Sequence, residues 1–213
     1  FLKGIDTAEL LTSPHYEINK NIKISSPFNF NTEVKIGNKT VGGSNPTLLI
    51  AEIGINHQGS EDILIEMLEK TKLSNFDYAK LQTYFVDRVS KTSKSAKYAD
   101  KTLGMEETLN EMYDRLKIGK ELHDKIFKWS EKNNFPVIST VFDEDSVDFL
   151  LKYNLDAFKV ASFDAVNLPL LKYVASKKKP IILSTGMCSM AEVEEAVDAV
   201  SSQDNKNLIL LHC

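Results

Sequence analysis

The sequence predicts an α/β fold, a (β/α)₈ TIM barrel followed through about six strands and preceded by a hairpin. Three observations predict it. Short apolar runs recur without polar alternation, as in strands covered on both faces. A segment with helical periodicity follows most runs. Polar residues recur at the ends of nearly all the runs, and a barrel gathers its chemistry from many strand ends on one face.

The chain has 213 residues, 42% apolar and 26% charged, enough for one large domain or two small ones. No run approaches the roughly 18–20 apolar residues of a membrane span, and no signal peptide opens the chain. A net charge of −4 without a basic cluster excludes a nucleic-acid footprint. Two cysteines, Cys188 and Cys213, exclude a disulfide scaffold and fit a reducing cytoplasm.

Residues 1–31, rich in Asn, Ser, Pro and Lys, read as a tail or linker, and 32–213 as a partial barrel. Val34–Ile36 and Lys39–Val41 flank Gly37-Asn38, a hairpin signal. The strand candidates are then Leu48–Ala51, Tyr78–Leu81, Pro136–Ser139, Ala157–Val160, Ile181–Leu183 and Leu208–Leu211. Between them, Ile63, Leu64, Met67 and Leu68 share a helical face, as do Leu122, Ile126 and Trp129. Pro169 suits the first turn of a helix, and Ser189 with Glu192 makes a capping box.

A doubly wound sheet fits the same order. Its glycine-rich turn is missing: Gly54-Ile55-Asn56-His57-Gln58-Gly59 is not G-x-G-x-x-G. The long stretch from about Asp87 to Met112 holds Lys91, Lys94, Lys97 and Lys101 and is expected to form a lid beside the mouth. A chain that opens on Phe1 and closes on a strand is expected to be a piece of a longer protein, inactive alone, with two further units after Cys213.

Lys80 and Lys159 carry the sharpest signal, because each sits inside an apolar strand. A structural ion pair or a snorkelling stem accounts for one such lysine. Two at equivalent places point to an anion, a phosphate or carboxylate. Thr140, Ser162 and Ser184-Thr185-Gly186 close strands and offer donors, although such residues also serve as turn formers and caps. Glu52 is a mouth carboxylate or the partner of a lysine; Asp164 is an acid or a helix cap. Gln82 and Tyr84 share the parity of Lys80 and face the same interior. Asn56, His57 and His212 lie near strand ends, but the four histidines have no metal-ligand spacing.

The segments Ile50-Ala51-Glu52-Ile53-Gly54-Ile55-Asn56-His57-Gln58-Gly59, Lys80-Leu81-Gln82-Thr83-Tyr84, Ile138-Ser139-Thr140-Val141-Phe142-Asp143, Phe158-Lys159-Val160-Ala161-Ser162-Phe163-Asp164, Ile182-Leu183-Ser184-Thr185-Gly186-Met187 and Leu210-Leu211-His212-Cys213 resemble the sialic acid synthase family. The resemblance runs over residues 34–213. It implies a barrel followed by an antifreeze-like domain in a homodimer. It implies condensation of phosphoenolpyruvate with an N-acyl sugar, releasing phosphate. Lys80, Thr140, Lys159, Ser162 and Ser184 would hold phosphoenolpyruvate and Gln82 the sugar. Glu52 and Asp164 would be the catalytic candidates. A divalent metal, Mn or Mg, would take its ligands beyond Cys213. Ser162-Phe163-Asp164 departs from the Ser-Gly-Glu of neuraminate-forming members; Ala161-Ser162-Phe163 resembles the pseudaminate branch, which usually carries Glu next, while His212 resembles the neuraminate and legionaminate branches, so the resemblance leaves the sugar open. Another phosphoenolpyruvate-dependent sugar-condensing barrel and a sugar-binding module without chemistry are the alternatives.

Overall fold

Val34 faces Val41 across an antiparallel hairpin of β1 (Glu33–Ile36) and β2 (Lys39–Gly42). The computed structural model describes residues 28–85, 97–100 and 105–213. After the hairpin come β3 (Ile50–Gly54), α1 (Glu61–Leu73) and β4 (Tyr78–Thr83). A second hairpin, β5 (Lys97–Asp100) with β6 (Met105–Thr108), precedes α2 (Leu109–Leu116) and α3 (Lys120–Asn133). Then follow β7 (Val137–Val141), α4 (Glu144–Leu151), β8 (Phe158–Val160), α5 (Leu168–Ser176), β9 (Ile181–Ser184), α6 (Met190–Ser201) and β10 (Leu208–Leu211).

The six predicted strands form one all-parallel sheet in the order β10-β9-β8-β7-β4-β3. Ile50 and Leu211, on its opposite edge strands, line the same cavity. The sheet is therefore curled into an open half-barrel. The sheet strand predicted from Leu48 starts at Ile50: the Leu49 carbonyl accepts the first ladder bond from Tyr78 at 3.1 Å, while the Leu49 amide is held by Asp77 Oδ2 at 2.8 Å.

Two cores follow from the strand alternation. On the outer face, Ala79, Leu81, Val137, Phe158, Ile181 and Leu183 pack with the helices. On the inner face, Ile138, Ala157, Ile182 and Tyr78 pack against Val34 and Ile36. The hairpin thus plugs the end of the barrel opposite the strand C-termini. Tyr78 ties it down, its hydroxyl lying 3.2 Å from the Ile36 carbonyl and 2.7 Å from Asp156 Oδ2. Gly37 makes the turn at φ 55°, where a Cβ would meet Asp156 Oδ2 at 2.4 Å.

The helix ends follow their sequence signals. Ser189 and Glu192 form the capping box, and Pro169 lies in the first turn of α5. Asn167, not Asp164, caps α5. The buried face of α1 is Leu64, Leu68 and Thr71, with Ile63 turned outward; that of α3 is His123, Ile126 and Phe127. No helix of the described residues is long and apolar enough to cross a membrane.

Candidate functional site

A cavity of about 610 Å³ opens at the C-terminal ends of the strands. Its floor is built by strand alternation. Glu52 and Lys80 are register partners on β3 and β4, as are Gln82 and Thr140, and Thr140 and Lys159. All five line the cavity, joined by Ser162 and Ser184. Every substrate-binding candidate named from the sequence is therefore in one place.

Lys80 is buried, and its Nζ lies 2.7 Å from Glu52 Oε2 and donates to Thr140 Oγ1 at 2.7 Å. Burial holds its pKa below the ordinary lysine value, against the pull of Glu52. Lys159 is buried too, yet both its acceptors are neutral: Ser184 Oγ at 2.7 Å and the Val160 carbonyl at 2.6 Å. Burial, and then the charge of Lys80, push it down to about 8. Among the described residues, the floor sets two ammonium groups against one carboxylate, a surplus that suits an anion.

Backbone geometry makes room for these groups. Gly54 closes β3 at φ 54°, where a Cβ would come within 2.8 Å of Glu52 Oε1. Ser162 heads a single helical turn after β8, and its Oγ accepts from the Gly186 amide at 3.1 Å.

Other candidates fall differently. Asn56 lines the cavity; His57 does not, being fully buried in the loop with Nδ1 accepting from the Gly59 amide at 3.1 Å. His212 is exposed beyond β10. Asp164 is 7% exposed and is not among the lining residues. Its Oδ2 is buried without a hydrogen-bond partner, and burial raises its carboxyl to about 6.

The lid candidates Lys91, Lys94 and Lys101 lie outside the described residues, as does most of the tail, and Lys97 opens β5. Where this insertion ends, Met112 and the following Tyr113 of α2 reach the cavity. Sequence reading missed these two and the lining rings Phe142 and Phe163. No local signal marked them, because each reads as an ordinary core residue.

A buried polar chain behind β4 was missed as well. His123 Nδ1–H donates to the Gly119 carbonyl at 3.0 Å, which leaves Nε2 to accept from Thr83 Oγ1 at 2.9 Å. Ser139 Oγ completes the chain 2.8 Å from Thr83 Oγ1.

Among the described residues, no three His, Cys, Asp or Glu side chains stand together as a metal-ligand set. Glu52 is engaged by Lys80 and His57 is folded into its loop, so these residues do not by themselves fit a divalent metal.

The chain matches the family model described as NeuB family over residues 67–213. It is 36% identical to the N,N'-diacetyllegionaminic acid synthase of Campylobacter jejuni, over 78% of this chain and 51% of that protein. The synthase of the same name from Legionella pneumophila is also 36% identical, over 83% of this chain and 51% of its own length. The N-acetylneuraminic acid (sialic acid) synthetase of Leptospira borgpetersenii, solved in complex with citrate, superposes with a TM-score of 0.73 at 27% identity. That match covers 85% of this chain and 59% of the neighbour. The chain spans about half the length of the curated relatives it matches.

Proposed function

We propose that this chain, which belongs to the NeuB family, forms the phosphoenolpyruvate-binding part of a nonulosonic acid synthase. The observation that carries the reading is Lys159, a buried ammonium whose described acceptors are both neutral, beside a Lys80 that shares one carboxylate. Phosphoenolpyruvate brings a phosphate and a carboxylate, enough negative charge for both lysines. Thr140, Ser162 and Ser184 add hydroxyl donors around it. Gln82 and Asn56 face the sugar.

The chemistry is a condensation. C3 of phosphoenolpyruvate attacks the aldehyde carbon of the open-chain N-acyl sugar, and the aldehyde oxygen takes a proton. Water adds to the resulting electron-poor C2 and gives up a proton. The C2–O bond to phosphate then breaks, the proton of the new C2 hydroxyl passes to the departing group, and inorganic phosphate leaves as the 2-keto acid forms. Lys80 and Lys159 hold the phosphate through this sequence and stabilise the charge on the departing group. Glu52, which lines the cavity and is half exposed, receives the proton of water. The Mn or Mg ion that the family resemblance implies would draw its ligands from outside the described residues.

The test is phosphate release by the full-length protein. Release from phosphoenolpyruvate is expected only when an N-acyl sugar and a divalent metal are both added. Release at the same rate without sugar would overturn the condensation.

A further inference from the structure

Resting on the synthase reading, in which Asn56 faces the sugar, we infer that Arg115 is a positioning residue. It docks α2 onto the loop between β3 and α1, and so sets the spacing of the two cavity walls between which the sugar reacts.

Arg115 lies in the last turn of α2 and does not line the cavity. Its guanidinium reaches back along the helix to Glu107, the residue before the Thr108 cap. Nε donates to Glu107 Oε2 at 3.1 Å, and Nη2 donates to Oε1. Two parallel bonds fix the orientation of the planar group, as one bond does not. The Glu107 side chain is 7% exposed and that of Arg115 25%, so the pair is largely out of water. A carboxylate this buried needs its cation. The third nitrogen, Nη1, turns to the loop and donates to Gln58 Oε1 at 3.5 Å.

The backbones meet at the same point. Gly59 stands at φ 79°, and a Cβ there would come within 2.4 Å of the Arg115 carbonyl oxygen. Only glycine allows so close an approach. The loop itself is stiff: the amides of Asn56, Gln58 and Ser60 donate to the carbonyls of Ile53, Ile55 and His57. A shift at Gly59 therefore reaches Asn56, which lines the cavity. A shift of α2 reaches Met112 and Tyr113, which line it too. The Tyr84 hydroxyl also holds α2, donating to the Tyr113 carbonyl at 3.1 Å. Without Arg115 the helix stays attached there and pivots.

The phosphoenolpyruvate floor does not depend on this clamp. Lys80, Thr140, Lys159 and Ser184 stand on strands held by their own ladders. Misplacing a reactant by about 1 Å costs up to about a hundredfold in rate. The loss should therefore fall on the sugar and spare phosphoenolpyruvate.

The experiment is steady-state phosphate release by the full-length enzyme with a divalent metal and saturating phosphoenolpyruvate. The varied acceptor is whichever of N-acetylmannosamine and 2,4-diacetamido-2,4,6-trideoxymannose wild type turns over. Arg115→Met is expected to lose at least tenfold in kcat/KM for the sugar. Its phosphoenolpyruvate affinity, by calorimetric titration, is expected within about twofold of wild type. Gly59→Ala leaves the ion pair in place and pushes the backbones apart; the same split is expected. Arg115→Met combined with Glu107→Gln leaves no buried charge behind. It is expected to show the split too, and it decides the matter if the single variant does not fold. A loss below tenfold in both Gly59→Ala and the double variant, or an equal loss of phosphoenolpyruvate affinity, overturns this inference alone. No phosphate release by wild type with either sugar overturns the synthase reading and this inference with it.

Discussion

The ammonium of Lys80 and the carboxylate of Glu52 stand 2.7 Å apart across two register-paired strands, one side chain 9% exposed and the other 53%. The buried partner depends on the open one. Glu52→Gln removes the carboxylate that the described residues place on the cavity floor. Stability is expected to fall by about 1 kcal/mol, because Glu52 is half exposed and the pair is screened. Turnover is expected to fall about a hundredfold, the low end of a lost proton-transfer group. Phosphoenolpyruvate binding should hold or tighten, since the floor gains net positive charge. Thermal melting, calorimetric titration and phosphate-release kinetics measure the three. Unchanged turnover would reduce Glu52 to an ion-pair residue.

Lys159→Met keeps the length of the side chain and removes its charge. A charge-assisted contact is worth about 1.5–3 kcal/mol, roughly a ten- to hundredfold change in affinity. Phosphoenolpyruvate binding should weaken by that factor and sugar binding little. The variant should melt no lower than wild type at neutral pH, because a desolvated ammonium beside Lys80 is gone. Calorimetric titration of each ligand, with melting alongside, checks both. A large fall in melting temperature with normal phosphoenolpyruvate binding would make Lys159 structural.

Lys159 also ties stability and binding to pH in opposite directions. Its folded value of about 8 lies below the ordinary 10.5. Below pH 8 folded and unfolded chains both hold the proton, and the burial penalty is fully present. Between about 8 and 10.5 the unfolded chain binds more protons, so this residue makes stability rise with pH, by at most about 1.4 kcal/mol for each step of one in pH. Over the same window the ammonium that attracts phosphoenolpyruvate is lost, so affinity should fall. The measurement is the difference between wild type and Lys159→Met, by denaturant unfolding and by titration, at several pH values. Parallel curves for the two proteins would remove Lys159 from both effects.

The barrel was legible because its signals are local and repeated: apolar runs, Pro169, and the Ser189–Glu192 box all say the same thing. The floor was legible because lysine inside an apolar strand is a local contradiction, and parity carried Gln82 and Tyr84 with Lys80. Asp164 was not legible. Its neighbours Ser162 and Phe163 line the cavity, but the helical turn they begin carries Asp164 out of it. A one-residue change of direction has no signature in composition. The aromatic rim was missed for another reason: Phe142 and Phe163 read as ordinary core residues until the sheet curls and sets them side by side.

Thr83 is the middle of the buried chain between His123 and Ser139. Thr83→Val keeps the shape and removes the hydroxyl, leaving His123 Nε2 without its donor. The expected loss is about 1–3 kcal/mol, the cost of an unsatisfied buried group. Thr83→Ser should recover most of it. Denaturant unfolding of the three proteins measures this, and a Val variant as stable as wild type would show that the chain adds nothing.

Asp164 carries the last prediction. Burial raises its carboxyl from 3.8 to about 6; a hydrogen bond from Asn167 opposes the rise and the charge of Asp143 adds to it. Between these values the folded chain holds more protons than the unfolded one. This residue therefore makes stability fall as pH rises through the window, and above about 6 the penalty is complete. Asp164→Asn keeps the shape and cannot ionise. It should raise stability at pH 7 by about 1–3 kcal/mol, since a tenfold change in proton affinity is worth about 1.4 kcal/mol. The gain should shrink on acidification and be gone below about pH 4. Melting of wild type and variant across that range reads it directly. Turnover should stay within about twofold, because Asp164 does not line the cavity. A hundredfold fall in turnover without the stability gain would instead return Asp164 to the catalytic machinery.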